Sequence, residues 1–108
     1  MNIKIQSIHF DADQKLTDFI NEKLSKIENG FGEIVDCEVF LKLDKNTTTE
    51  NKVVEIKLLI PGNGLFAKRQ CKTFEEATDQ SIDALRKQIK KYKEKLRATT
   101  GIRAEKTI

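Results

Sequence analysis

Two neighbouring stretches of this chain alternate apolar and polar residues without a break. In the first, Val35, Cys37, Val39, Leu41 and Leu43 fall on one side and Asp36, Glu38, Phe40, Lys42 and Asp44 on the other. In the second, Lys52 to Ile60, the residues Val54, Ile56, Leu58 and Ile60 keep the same period. A period of two is strand geometry with one face buried. Between them Lys45 to Asn51 is polar and Thr-rich, which reads as a hairpin loop. Pro61-Gly62-Asn63-Gly64 is a second turn signal. It predicts a further strand over Leu65 to Lys72. That strand's inward set is Leu65, Ala67, Arg69 and Cys71, and Arg69 fits there only by reaching past the sheet edge. An antiparallel sheet with one apolar face needs a cover.

Two amphipathic segments supply it. Asp13 to Asn29 carries Leu16, Phe19, Ile20, Leu24 and Ile27 at spacings of three and four, with Asp13 as N-cap and Gly30 as the residue just past the end. Thr73-Phe74-Glu75-Glu76 is a capping box that opens a second helix. Its stripe is Ile82, Leu85, Ile89, Tyr92 and Leu96, and Gly101 marks its expected far limit. Ahead of the first helix, Asn2 to Phe10 reads as a strand whose apolar phase shifts after Ile5 to Ile8 and Phe10. The shift implies a bulge near Gln6-Ser7 or the strand's end. The order is β-α-β-β-β-α. The simplest burial is an α+β fold, a four-stranded sheet with both helices on one face. The first crossover is expected to be parallel and right-handed. Residues 1–97 form one domain in this reading, and 98–108 a short flexible tail.

Charge is unevenly placed. Arg86 to Arg97 holds seven basic residues and one acid, Glu94, a local +6 in a chain that nets +3. At about 100° per residue, Arg86, Lys90, Lys93 and Arg97 make one row and Lys87, Lys91 and Lys95 another. The start of the same helix is acidic, with Glu75, Glu76, Asp79 and Asp83. That polarity suits the helix dipole, but dipole stabilisation is worth only about 0.3–1 kcal/mol per charge and acts within the last turn. Like charges four apart oppose it. So concentrated a cationic face points to a polyanion. A membrane is excluded as that polyanion, because the helix's apolar stripe is needed by the sheet and the chain has no Trp. Phosphate-backbone binding fits better than base readout, since Phe40, Phe66 and Tyr92 are the few candidates for stacking and Tyr92 falls on the core stripe.

Other chemistry has little support. His9 is the only histidine and has no partner in register. No glycine-rich phosphate loop, HExxH or paired-carboxylate signature occurs. Cys37 and Cys71 lack a CxxC spacing and read as reduced, part-buried thiols of a cytoplasmic protein, with a disulfide or metal pair as the lesser alternative. The N-terminus does not read as a signal peptide, and the longest apolar run is Leu58-Leu59-Ile60.

The order of elements, the Val39-Phe40-Leu41-Lys42-Leu43 strand and the last helix together resemble the ribosome hibernation promoting factors, also called the ribosome-associated inhibitor or light-repressed family. In the helix the matching residues are Asp79, Ile82-Asp83, Leu85, Lys87-Gln88 and Lys91-Tyr92-Lys93-Glu94-Lys95-Leu96. The chain departs from the family's pattern at Glu75, Ala77 and Thr78, and at Arg69, where members often have small residues. The resemblance implies a fold similar to the double-stranded-RNA-binding domain. It implies a non-enzymatic factor of the short type that occupies the mRNA and tRNA channel of the small ribosomal subunit and stops translation in stationary phase or stress. Its expected partners are the small subunit with its 16S rRNA and 70S or 100S ribosomes. No cofactor, metal, membrane or small-molecule substrate is expected. Carried over, the resemblance implies rRNA contacts from Lys87, Lys91, Lys93 and Lys95, with Lys23, Lys26 and Lys42 as additions from the first helix and the sheet. Charge alone adds Arg86, Lys90 and Arg97. The alternatives are a generic double-stranded-RNA-binding module and an adaptor whose basic helix meets an acidic protein.

Overall fold

The computed structural model describes residues 2–31 and 34–106, with side chains described for 2–27 and 34–95. Its elements are β1 (Asn2–Ser7), α1 (Gln14–Phe31), β2 (Asp36–Leu43), β3 (Lys52–Ile60), β4 (Asn63–Cys71) and α2 (Phe74–Lys106). The sheet order follows the chain, β1-β2-β3-β4. β1 runs parallel to β2, and the other two pairs are antiparallel. This is the α+β arrangement that the alternation and the two stripes require.

One core accounts for both helix stripes and the inward strand residues. Ile20, Leu24 and Ile27 of α1 meet Cys37, Val39 and Leu41 of β2, Val54 and Ile56 of β3, and Ile82, Leu85 and Ile89 of α2. Leu41, Val54, Ile56 and Leu85 lose all solvent exposure. Burying a side chain of that size is worth about 1.5–3 kcal/mol. At the strand ends the pattern fails: Val35 and Leu43 belong to the inward set but stay 48 % and 40 % exposed, because neither helix reaches that far along the sheet. Ala77, Thr78 and Ser81 put small side chains where α2 begins to cross the sheet, all fully buried.

Capping follows the sequence signals. The Asp13 Oδ1 accepts from the Leu16 amide at 2.8 Å, and the Thr73 hydroxyl from the Glu76 amide at 3.0 Å. Some boundaries differ. β1 stops at Ser7 rather than Phe10, so the phase shift marks the strand's end. His9 there takes a φ of +66°, which turns the chain. Phe10 then stacks on Phe74 at the start of α2, ring centroids 5.1 Å apart. Gly30 lies inside the last turn of α1, not beyond it. α2 passes through Gly101 and runs to Lys106, so residues 98–106 are helical where the sequence suggests a short tail. A mid-helix glycine costs about 1 kcal/mol relative to alanine.

The β3–β4 connection is a two-residue turn, since Ile60 pairs with Asn63. Gly62 holds φ +80°, and a Cβ there would lie 3.3 Å from the Tyr92 hydroxyl. That hydroxyl donates to the Pro61 carbonyl at 3.4 Å, tying α2 to the hairpin tip. Glycine is thus required twice, by backbone conformation and by space. Gly62→Ala is expected to lower unfolding stability by about 1–2 kcal/mol, measurable by chemical denaturation.

Candidate nucleic-acid interface

α2 is fixed by Ile82, Leu85 and Ile89, buried to 3 %, 0 % and 2 % exposure, so its opposite arc must face solvent. Lys87, Lys90, Lys91, Lys93 and Lys95 are all exposed there, and Arg86 is half-buried. Arg86 and Lys87, one from each row, face different neighbours. Arg86 lines a cleft of about 320 Å³ toward α1, with Lys23, Asp79, Gln80, Ile82 and Asp83. Lys87 lines a cleft of about 410 Å³ toward β4, with Arg69, Gln80, Asp83 and Ala84. Lys87, Lys90 and Lys91 also border a depression of about 390 Å³ with Gln88 and Glu94. Gln88 anchors this part of the helix by donating to the Phe66 carbonyl at 2.9 Å. The side chain of Arg97 lies outside the described residues.

Ion pairing divides the candidate residues into two groups. Lys23 lies 3.5 Å from Asp79, Lys26 lies 3.8 Å from Glu22, and Lys42 lies 2.7 Å from Glu55. Each of these three cations has a carboxylate at hand. Among the described residues, no carboxylate pairs with Lys87, Lys90, Lys91 or Lys95. The Arg86 Nε is buried without a hydrogen-bond partner. Unpaired cations spaced at three and four along one helix present their full charge to a phosphate backbone. Location divides the set again. Lys42 lies on the face of the sheet away from both helices, the face that also carries Lys4, Glu38, Glu55 and Lys57, so it does not share a surface with the α2 rows.

One cation of this surface lies outside the residues proposed from sequence. Arg69 follows the inward parity of β4, yet it is exposed between buried Ala67 and Cys71. It escapes the core over the sheet edge, as its place in the alternation demands.

The remaining chemistry-bearing residues are inert in this geometry. Cys37 and Cys71 are buried free thiols. Burial pushes the Cys37 thiol up to about 12, with the neighbouring Asp36 and Glu38 charges adding to the effect. Burial likewise raises Cys71. Both are held in the protonated form, which neither attacks nor ligates well. His9 is exposed at a chain corner. The Asp44 carboxyl is held below the ordinary range by hydrogen bonds from the Asn46 amide and Gln70, so it works as a hairpin clasp.

A two-helix, one-sheet α+β domain, with a cationic arc on its last helix and no assembled catalytic group among the described residues, is the class of protein that the structure defines. Comparison with known proteins identifies the family. Residues 3–97 match the model of the family described as sigma 54 modulation protein / S30EA ribosomal protein. The ribosome hibernation promoting factor of Pseudomonas putida is 34 % identical over 95 residues, covering 88 % of this chain and 89 % of that protein. Its counterpart in Escherichia coli is 28 % identical over 97 residues, covering 90 % and 98 %. A ribosomal subunit interface protein from Coxiella burnetii has the same fold, with a TM-score of 0.77 at 22 % identity, covering 86 % of this chain and 98 % of that one. The N-terminal domain of Thermus thermophilus Protein Y superposes with a TM-score of 0.73 at 21 % identity, covering 85 % and 99 %. The chain belongs to the sigma 54 modulation protein / S30EA ribosomal protein family, the family of the ribosome hibernation promoting factors. These are ribosome-associated proteins without enzymatic activity.

The division of the cations predicts different roles. Lys42→Met leaves Glu55, only 14 % exposed, without its partner. It is expected to lower stability by about 1 kcal/mol. Lys91→Met is expected to leave stability unchanged or to raise it slightly by relieving i,i+4 repulsion. Urea denaturation of the two variants checks both.

Proposed function

We propose that this protein is a cytoplasmic ribosome hibernation factor. It binds the small ribosomal subunit in the channel otherwise used by mRNA and tRNA, and it stops translation in stationary phase or stress. The single observation that supports this reading most is the cationic arc of α2, where Lys87, Lys90, Lys91 and Lys95 have no paired carboxylate among the described residues, on a helix whose other side is committed to the core. A rigid domain presenting that arc acts by occupancy: it neutralises rRNA phosphates and excludes the ligands that would otherwise fill the space. Lys87, Lys90, Lys91 and Lys95 supply the phosphate contacts in this reading, with Arg86, Lys93 and Arg97 beside them. Lys23 and Lys26 contribute once their carboxylates give way, and Lys42 from the far face of the sheet. The 16S rRNA is the partner within the small subunit, in 70S and 100S particles alike.

Backbone contacts of this kind carry a strong salt dependence, because each neutralised phosphate releases condensed counterions. Affinity for small subunits is therefore expected to fall steeply between low and moderate salt. Lys87→Glu combined with Lys91→Glu reverses two charges on one row. The double variant is expected to lose at least about a hundredfold in affinity, seen as loss of co-sedimentation with small subunits and 70S ribosomes on sucrose gradients. Its thermal unfolding should match the parent's, since both side chains are exposed. Co-sedimentation equal to the parent's would overturn the reading.

A further inference from the structure

The seam between β4 and α2 brings together two cations from different elements. Arg69 comes from the edge strand and Lys87 from the helix, and both line the cleft of about 410 Å³ that also includes Gln80, Asp83 and Ala84. Arg69 pairs in register with Val54, which is fully buried, so its stem starts over the rim of the core. The side chain then turns outward, and its Nη1 donates to the Lys68 carbonyl at 2.8 Å. That bond caps a carbonyl of the strand's own backbone and fixes the guanidinium at the mouth of the cleft. The remaining guanidinium donors stay available. No carboxylate forms a salt bridge with Arg69 or Lys87 among the described residues, although Asp83 lines the same cleft. A guanidinium pre-set by one bond and flanked by an ammonium matches a tetrahedral oxyanion: the fork takes two oxygens and the ammonium supplies a point charge.

We infer that Arg69 and Lys87 hold one RNA phosphodiester between them, so that the nucleic-acid interface extends off the helix and across the sheet edge. This rests on the rRNA-binding reading above and adds a residue to it. A backbone strand that follows the Lys87–Lys91–Lys95 row is then clamped at its β4 end by two elements instead of one. The clamp sets the direction in which the strand leaves the helix.

Arg69→Gln keeps a donor for the Lys68 carbonyl but removes the charge and the fork. It is expected to weaken binding to purified small subunits about tenfold. The slope of log affinity against log salt should fall by about one, with unfolding temperature unchanged. Lys87→Gln is expected to give a similar loss. The double variant should lose clearly less than the product of the two, because both side chains serve the same phosphate. Parent-like binding by Arg69→Gln would overturn the clamp, as would strictly multiplicative losses. The Lys87→Glu, Lys91→Glu protein separates the levels: if it fails to bind while Arg69→Gln binds like the parent, only the clamp is wrong. If it too binds like the parent, the rRNA-binding reading itself falls.

Discussion

The packing of Ile82, Leu85 and Ile89 against β3 and β4 is the constraint from which the rest of the molecule follows. A helix has one circumference, and an apolar stripe spent on the sheet and on α1 cannot also insert into a bilayer. Once that stripe is buried, every other position between Arg86 and Lys95 faces either solvent or the flanking clefts. The core thereby orients the charge. It aims Arg86 toward α1 and Lys87 toward β4. The same burial offsets the repulsion among the lysines, because a few fully buried aliphatic side chains outweigh several tenths of a kcal/mol per like-charged pair.

Counter-charges then sort the cations by use. Lys23, Lys26 and Lys42 each have a carboxylate within 4 Å, so a phosphate must compete for them. Among the described residues, no carboxylate pairs with Lys87, Lys90, Lys91 or Lys95. Glu75 and Glu76 stand in the first turn of α2, where they suit the positive end of the helix dipole, and Asp79 beyond them meets Lys23. The helix is therefore acidic where it begins over the sheet and basic further along. This polarity gives the domain a directional surface rather than a uniformly positive one.

Much of this was legible in the sequence, and the reasons are local. Alternation in 35–44 and 52–60, the Asp13 and Thr73 caps, and the Pro61-Gly62 turn are all read within a few residues. So is the α2 charge pattern, since helix geometry alone puts residues three and four apart on one side. What was not legible depends on register. Lys42 and Glu55 are thirteen positions apart and meet only because of how β2 lies on β3. The contact of Arg69 with the α2 cleft depends on where the helix crosses the edge strand. Its one sequence signal was an arginine in an apolar parity slot. Phe10 was assigned to a strand because its partner Phe74 is sixty-four residues away. Gly30 and Gly101 suggest stops because glycine favours helix ends, yet both helices run through them.

The i,i+4 lysine ladder on α2 has a further physical meaning for the free protein. Lys87, Lys91 and Lys95 repel along the helix axis, so in isolation the ladder works against the winding of its own turns. Dissolved ions shield that repulsion and favour the helix, while the same ions compete away a bound phosphate chain. Ionic strength therefore pulls in opposite directions on the order of the helix and on its occupancy. In the proposed complex a bound polyanion would replace the dissolved ions as the shield, so docking and helical order would reinforce one another.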